Sequence, residues 1–284
     1  MTYTKYGGMN GTDSGDGYSY FRKAMKRITI GLEQPPIVFV HGFDSSSVEF
    51  RRLAPILERM GQEVYCIDVL GWGFGNVENV NEFTPQAKVD HLESFLRQIV
   101  GKKCILGGAS LGGAIAINLY EQAPDLISKL VLIDAQGYID GDGPKNIPNF
   151  LAGIGIEILR SKSLRMFANY IAYADKSLAT TDAMLIGRLH CSLKSWKRSS
   201  IEFLKSGGFV TSEKVAKVKI PTLVLWGSND EILDPSTAER FGEELQYGIV
   251  KYISDCGHVC HLEKPQETAE EIINFMEVNV HTEK

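Results

Sequence analysis

A serine at position 110 stands in the pentapeptide Gly-Ala-Ser-Leu-Gly (108–112), which has the G-x-S-x-G pattern of a nucleophile on a sharp turn. A strand-like apolar segment precedes it at 103–107, and a helical pattern follows it from Leu111 to about Gln122. Small flanking residues let a strand and a helix approach closely, so the hydroxyl is held clear of the sheet. The pattern predicts a nucleophilic Ser110, with the backbone N–H of Leu111 placed to stabilise an oxyanion.

A serine hydroxyl needs a base to take its proton, and histidine is the usual base. Of the six histidines, His258 is the best candidate, because it follows the last predicted strand at the sheet edge that faces Ser110. The remaining five are predicted to have other roles: His41 supports its loop, His91 and His281 are solvated, His190 could line the pocket and His261 is structural.

A carboxylate must orient the base and stabilise its cation. Asp230 follows the predicted strand at 221–226, which gives the chain order Ser, Asp, His that this kind of site uses. Three rivals remain open: Asp134 at the end of the preceding strand, and Glu231 and Asp234 beside Asp230.

A second oxyanion donor is expected from the backbone N–H of Phe43, in the His41-Gly42-Phe43 segment that follows the strand at 37–40. Such a donor is typically worth ~3 kcal/mol of transition-state stabilisation. Cys256, His258, Cys260 and His261 could suggest zinc ligands, but one catalytic histidine explains the cluster, so neither a metal nor a cofactor is expected.

Short, nearly continuous apolar strands, the first at 26–30, alternate with helical patterns, which predicts a mostly parallel, doubly wound α/β sheet. One of the helices is predicted at 84–100, with Thr84 as its N-cap and Pro85 at its first position. The alternation stops between Gly137 and about Val218, where only helical patterns occur. The predicted organisation is a mobile tail at 1–25, a core at 26–136 and 219–284, and a helical insertion at 137–218 that forms a cap. The helical insertion holds 12 Lys and Arg against 7 Asp and Glu, whereas the chain as a whole has a net charge of -5.

Composition excludes some classes of protein. The 284 residues are 44% hydrophobic and 23% charged, as in a soluble globular protein, and the acidic balance argues against nucleic-acid binding. No apolar run is long enough to span a membrane, although peripheral membrane contact stays open. Five scattered cysteines indicate a reducing compartment, the cytoplasm or, if a transit peptide has been removed, the plastid stroma. Oligomeric state is not predicted.

Five segments resemble the signature blocks of the α/β-hydrolase superfamily with a helical cap. In chain order they are HGFDSS, DVLGWGFG (68–75), GGASLGG, WGSNDEILDP (226–235) and CGHVCHLEKP (256–265), within about residues 26–280. The resemblance implies a triad of Ser110, Asp230 and His258, and an oxyanion hole from Phe43 and Leu111. HGFDSSSVEFRR and IGRLHC further resemble plant and cyanobacterial members, some of which cleave long-chain or prenyl esters such as the phytyl ester of chlorophyll.

The predicted function is hydrolysis of a carboxylic ester of a hydrophobic small molecule or lipid, through an acyl-enzyme on Ser110. Serine at this position argues against haloalkane dehalogenases and epoxide hydrolases, in which a carboxylate attacks. Three alternatives remain: a hydrolase of carbon–carbon bonds in diketone-type substrates, a ligand receptor that retains the triad, and a lyase or peroxidase on the same fold. Leu262 stands where carbon–carbon bond hydrolases of ring-cleavage products tend to carry Trp.

Overall fold

The computed structural model describes residues 3–6, 34–75, 77, 80–141 and 148–277. Within them, seven strands form one sheet: β1 (Tyr3–Tyr6), β2 (Ile37–Val40), β3 (Val64–Ile67), β4 (Cys104–Ala109), β5 (Ile127–Ile133), β6 (Thr222–Gly227) and β7 (Gly248–Ile253). Their order across the sheet is β1-β3-β2-β4-β5-β6-β7. Only the edge pair β1–β3 is antiparallel among these pairs. The predicted doubly wound α/β sheet is confirmed.

Both faces of the sheet are covered, which explains why its strands are almost continuously apolar. In β2, Val38 and Val40 join one buried cluster, while Ile37 and Phe39 join another on the opposite face. Side chains alternate in direction along a strand, so one short segment supplies both cores. The carboxyl ends of the parallel strands therefore meet at one edge, where loops can bring side chains together.

Helices pack on the two faces. Residues of α2 (Pro85–Phe95) and α3 (Leu111–Gln122) belong to the first cluster. Residues of α1 (Ala54–Arg59) and α11 (Pro265–Glu277) belong to the second. Thr84 caps α2 through its hydroxyl, which accepts a hydrogen bond from Ala87 N, and Pro85 occupies the first helical position, as predicted. The core helices are α1 (Ala54–Arg59), α2 (Pro85–Phe95), α3 (Leu111–Gln122), α9 (Ser236–Glu244), α10 (Cys260–Glu263) and α11 (Pro265–Glu277).

The helical insertion enters after β5 and leaves before β6. In its described residues, 137–141 and 148–218, the regular elements are all helical. Ser161 and Thr180 cap two of these helices with their hydroxyl groups. The helices are α4 (Asn149–Arg160), α5 (Lys162–Ala172), α6 (Thr181–Arg188), α7 (Lys194–Ser206) and α8 (Ser212–Val215), with short 3-10 turns between them.

Two segments near the amino terminus differ in outcome. Residues 3–6 lie in the predicted tail, yet they form β1 beside β3. A four-residue edge strand is held by backbone pairing, so its composition carries little sign of it. The strand predicted at 26–30 and the rest of the predicted tail lie outside the described residues.

Candidate active site

Ser110 lies on the turn between β4 and α3 with φ 50° and ψ −120°, a backbone conformation that is rare for any residue except glycine. Its carbonyl accepts hydrogen bonds from Gly113 N and Gln136 N, each at 2.9 Å. The turn is held by its neighbours on both sides, so the strained conformation persists.

Glycines are needed on both sides of Ser110, because the close approach of the strand and the helix leaves no space for a side chain at these two positions. A Cβ on Gly108 would lie 2.3 Å from the backbone of Gly112, and a Cβ on Gly112 would lie 2.1 Å from the carbonyl oxygen of Val40. Both distances are far below van der Waals contact. The strand and the helix therefore approach as closely as the pattern around Ser110 predicts.

His258 and Asp230 are hydrogen-bonded to each other, with 2.8 Å between Nδ1 and Oδ2. Both side chains are buried. The other carboxylate oxygen of Asp230 accepts from the backbone N–H groups of Ile232 and Leu233, at 2.7 and 3.1 Å, which holds the carboxylate in place. This pairing leaves Nε2 of His258 as the ring nitrogen for proton transfer.

The surroundings of His258 favour its cation. Burial alone lowers the pKa of His258, but the hydrogen bond to Asp230 and the negative charges of Asp134 and Asp230 outweigh burial, so the pKa is raised. A raised pKa makes an imidazole a stronger base toward a hydroxyl proton, because its cation is stabilised as it forms.

Asp134, the alternative acid, has a different partner. Its Oδ1 accepts from the backbone N–H of Gly227 at 2.7 Å, and its Oδ2 has no hydrogen-bond partner among the described residues. Burial raises the pKa of this carboxyl to about 6. Asp134 thus lies close enough to act on His258 through its charge, while the hydrogen bond to the imidazole comes from Asp230.

The loop that carries Phe43 passes directly beside Ser110. A Cβ on Gly42 would lie 3.3 Å from Cβ of Ser110. In the described part of the chain, the backbone N–H groups of Phe43 and Leu111 are not among the hydrogen-bond donors, so both are available to a ligand. Glu49 accepts from Gly42 N at 3.2 Å, and His41 Nε2 accepts from Val69 N at 3.0 Å. His41 supports its loop as predicted.

Two further histidines have structural partners. His261 Nε2 lies 3.0 Å from Glu49 Oε1, and this contact helps to lower the pKa of Glu49 to about 2 although burial raises it. His190 is buried, and its Nε2 lies 2.9 Å from Asp44 Oδ1. His91 is half-buried rather than solvated, and burial lowers its pKa to about 4.

Aromatic side chains from the core and the helical insertion meet beside the loop that carries Phe43. The rings of Phe43 and Trp72 lie 5.3 Å apart, and Phe203 of α7 lies 5.0 Å from Trp72 and 6.0 Å from Phe43. Buried Lys88 places Nζ 4.0 Å from the centre of the Trp72 ring, and burial lowers its pKa to about 7. Phe43 remains 45% exposed, so this cluster offers apolar surface to a ligand.

Two carboxylates that no sequence pattern indicated, Asp44 and Glu263, link the helical insertion to the core. Asp44 stands one residue from Phe43, and Glu263 lies five residues after His258, so each adjoins a predicted site residue. Their partners are distant in the chain, which removes any local pattern. Two cavities of about 440 and 750 Å³ also border the helical insertion, and neither is lined by Ser110 or His258.

A sheet of this order, with a serine turn after one central strand and a helical insertion before β6, defines an α/β-hydrolase fold. The model of the alpha/beta hydrolase family matches residues 37–271. The chain belongs to that family.

Comparison with known proteins adds three likenesses. The chain is 34% identical to the alpha/beta hydrolase domain-containing protein VTE7 of Arabidopsis thaliana over 245 residues, 86% of this chain and 74% of that protein. It is 25% identical to Lipase 3 of Moraxella sp. over 244 residues, 84% and 76% of the two. A crystal structure of a meta-cleavage product hydrolase matches with a TM-score of 0.70 and 18% identity, over 96% and 93% of the two chains. No helix in the described residues is long and apolar enough to cross a membrane.

Proposed function

We propose that this protein hydrolyses a carboxylic ester that has a hydrophobic acyl or alcohol part. In this proposal Ser110 is the nucleophile, His258 is the base and Asp230 is the carboxylate that orients the base. The observation that carries the proposal is the 2.8 Å contact of His258 with Asp230, together with the strained turn at Ser110. A buried, oriented base and a serine held at φ 50° are the parts that acyl transfer needs.

In the proposed reaction, Ser110 Oγ attacks the ester carbonyl while His258 Nε2 takes the hydroxyl proton. His258 then gives that proton to the leaving alcohol, and an acyl-enzyme remains on Ser110. In the second half, water attacks this ester and loses a proton to His258, which returns the proton to Ser110 Oγ as the acid leaves. Asp230 stays ionised and holds the imidazole in the required tautomer throughout.

Negative charge develops on the carbonyl oxygen in both halves of the reaction. The backbone N–H groups of Phe43 and Leu111 are the proposed donors to it. Their hydrogen bonds are free for a ligand, and Leu111 begins α3, where the helix dipole also favours an anion.

The helical insertion is the proposed cap, and it supports a hydrophobic substrate. Phe203 of the insertion meets Phe43 and Trp72 next to the proposed oxyanion hole, so an acyl or alcohol chain would contact aromatic surface. The sequence likeness to a lipase agrees with such a substrate. The five cysteines are free and buried, which supports the predicted reducing compartment, cytoplasm or plastid stroma.

Labelling with a fluorophosphonate probe, followed by peptide mapping, tests the nucleophile. We expect label on the peptide that contains Ser110 in the wild-type protein and none in Ser110→Ala. Ser199→Ala is a matched control, because Ser199 is another buried serine, in α7. Labelling that persists in Ser110→Ala would remove Ser110 from the proposed role.

The substrate class is tested with p-nitrophenyl esters of increasing acyl length and with a diketone substrate. We expect kcat/KM to rise from acetyl to longer chains, since the surface near Phe43 is aromatic. Strong preference for acetyl esters contradicts the hydrophobic substrate, and faster cleavage of the diketone supports the carbon–carbon bond hydrolase instead. A single turnover without release, with a protein partner that binds only in the presence of ligand, indicates a receptor.

A further inference from the structure

Asp44 is a buried carboxylate at the contact between the helical insertion and the oxyanion loop. Its Oδ1 accepts from Trp196 Nε1 at 2.5 Å and lies 2.9 Å from His190 Nε2. Arg165 pairs with Oδ2 and also donates to the backbone carbonyl of Asp44 at 3.3 Å. All three partners belong to the helical insertion, while Asp44 directly follows Phe43.

Glu263 makes corresponding contacts between the helical insertion and the loop that carries His258. Its carboxylate accepts from the backbone N–H of Ala174 at 3.0 Å and of Asp175 at 2.7 Å, both in the helical insertion. The same carboxylate accepts from the backbone N–H of Gly257 at 2.8 Å. Gly257 is the residue before His258, so this one side chain joins the insertion to the loop of the base.

We propose that Asp44 and Glu263 are positioning residues through which the helical insertion orients the Phe43 amide and the His258 loop. The proposal rests on the function proposed above and adds that docking of the insertion completes the site. Without the insertion, Asp44 loses the three donors named above and Glu263 loses the N–H groups of Ala174 and Asp175, so each loop loses a constraint.

Burial makes these contacts strong determinants of loop geometry. Asp44 is 5% exposed and Glu263 is 8% exposed. A buried carboxylate without donors is costly, so each loop adopts the conformation in which its carboxylate is satisfied. Asp44 also has φ 48°, in the left-handed region, which turns the chain immediately after Phe43. The Arg165, His190 and Trp196 contacts hold that turn.

The cluster around Asp44 is better suited to this role than to binding a metal ion. Asp44, His190 and Cys191 lie close enough to share an ion. However, Arg165 already brings a positive charge to Asp44 and lies 3.2 Å from Cys191 Sγ. Burial raises the pKa of the Cys191 thiol to about 11, so binding of a metal there would also have to displace a tightly held proton.

Asp44→Asn and Glu263→Gln test the proposal, because each keeps the shape of its side chain and replaces an acceptor oxygen with a donor. Asparagine also tolerates the left-handed conformation at position 44. The matched control is Glu202→Gln: Glu202 of α7 likewise accepts a backbone N–H of the core, from Phe83 at 3.1 Å, but Phe83 lies in neither catalytic loop.

We expect Asp44→Asn and Glu263→Gln to lower kcat on the order of tenfold, a partial loss of what one oxyanion donor supplies, with KM nearly unchanged. Affinity for a boronic acid, which forms a tetrahedral adduct on Ser110, should fall in parallel. Glu202→Gln should change neither. The proposal is wrong if the two variants match Glu202→Gln in kcat, or if they raise KM and leave kcat and boronate affinity unchanged.

Two measurements separate this proposal from the function itself. Trp196→Phe removes the N–H donor to Asp44 and keeps an aromatic ring, although a smaller one. If the two residues act through this hydrogen bond, its effect on kcat and that of Asp44→Asn should combine to less than their product. Hydrogen exchange needs no substrate: Asp44→Asn should speed exchange in 40–46, and Glu263→Gln in 254–259, relative to Glu202→Gln. If wild-type protein hydrolyses no ester but exchange responds in this way, the proposed function fails and the coupling stands. Unchanged exchange in both segments refutes the coupling.

Discussion

The core and the helical insertion differ in how tightly they are packed and in how much apolar surface they expose. The core holds Ser110 by close backbone packing, as the 2.1 Å clash of a Cβ on Gly112 shows, and its strands β2, β3, β4 and β6 are buried along their whole length. The insertion leaves large apolar side chains in water: Phe150, Ile154 and Phe167 are 69%, 55% and 59% exposed. Its contacts with the loops that carry Phe43 and His258 combine hydrogen bonds to Asp44 and Glu263 with the ring contact between Phe203 and Phe43. Ser110 therefore tolerates almost no change around it, whereas the insertion can vary as long as these contacts remain.

The largest expected effect concerns the two carboxylates that flank the insertion in the sequence, Asp134 before it and Asp230 after it. We expect Asp230→Asn to lower kcat about 10⁴-fold, because the imidazole loses the partner that orients it. Asp134→Asn should retain most activity, since Gly227 N and not His258 bonds to that side chain. Ester kinetics of both variants provide the measurement, and loss of turnover in Asp134→Asn alone would reverse the assignment of the acid.

Glycine substitutions compare the packing of the two regions directly. Gly112→Ala should destabilise the protein by more than about 2 kcal/mol, because the new methyl group meets the Val40 carbonyl. Gly155→Ala in α4 should stabilise it by about 0.5–1 kcal/mol, because no atom lies within 4 Å of the new Cβ and alanine favours a helix. Urea unfolding measures both. Equal effects at the two positions would contradict the difference in packing.

The pH profile tests the charges that the core places around His258. His258 must be neutral to accept a proton, and its pKa is raised above the ordinary value of 6.5, so kcat/KM should rise with pH through a midpoint above 6.5. Asp134→Asn removes one of the negative charges responsible, so its midpoint should move to lower pH. A profile that does not shift in this variant would mean that Asp134 has no charge effect on the base. Glu157→Gln on the insertion surface is the control.

The smallest expected effect comes from the strain at Ser110. Glycine adopts φ 50° freely, whereas alanine retains the strain, so Ser110→Gly should be more stable than Ser110→Ala by about 1 kcal/mol. Chemical denaturation of the two inactive proteins measures the difference. If alanine is the more stable of the two, the turn is not strained.

Local patterns predicted much of the core. The strand at 37–40, the helix that begins at Pro85 and the turn at Ser110 all occur at or within a residue or two of the predicted positions. Strand-like and helical periodicity report burial directly, and the core is where burial is most complete. In the insertion, α7 (Lys194–Ser206) was not predicted, because it is rich in polar residues and its apolar positions are few.

The site was predictable in its residue types and only partly in its partners. Sequence order favoured Asp230 over Asp134, but the distance of 2.8 Å to His258 depends on how two loops approach each other. No pattern near Phe43 pointed to Asp44, because its partners Arg165, His190 and Trp196 lie more than a hundred residues along the chain.

What the sequence determined by itself was the alternation of strands and helices in the core from β2 onward, the family, and the serine on its turn, since each depends on residues that are neighbours in the chain. Only the tertiary structure decided which carboxylate meets His258 and that Asp44 and Glu263 join the helical insertion to the loops that carry Phe43 and His258. Hydrogen bonds of this kind depend on distance and direction between segments that are remote in sequence, and those quantities exist only once the chain has folded.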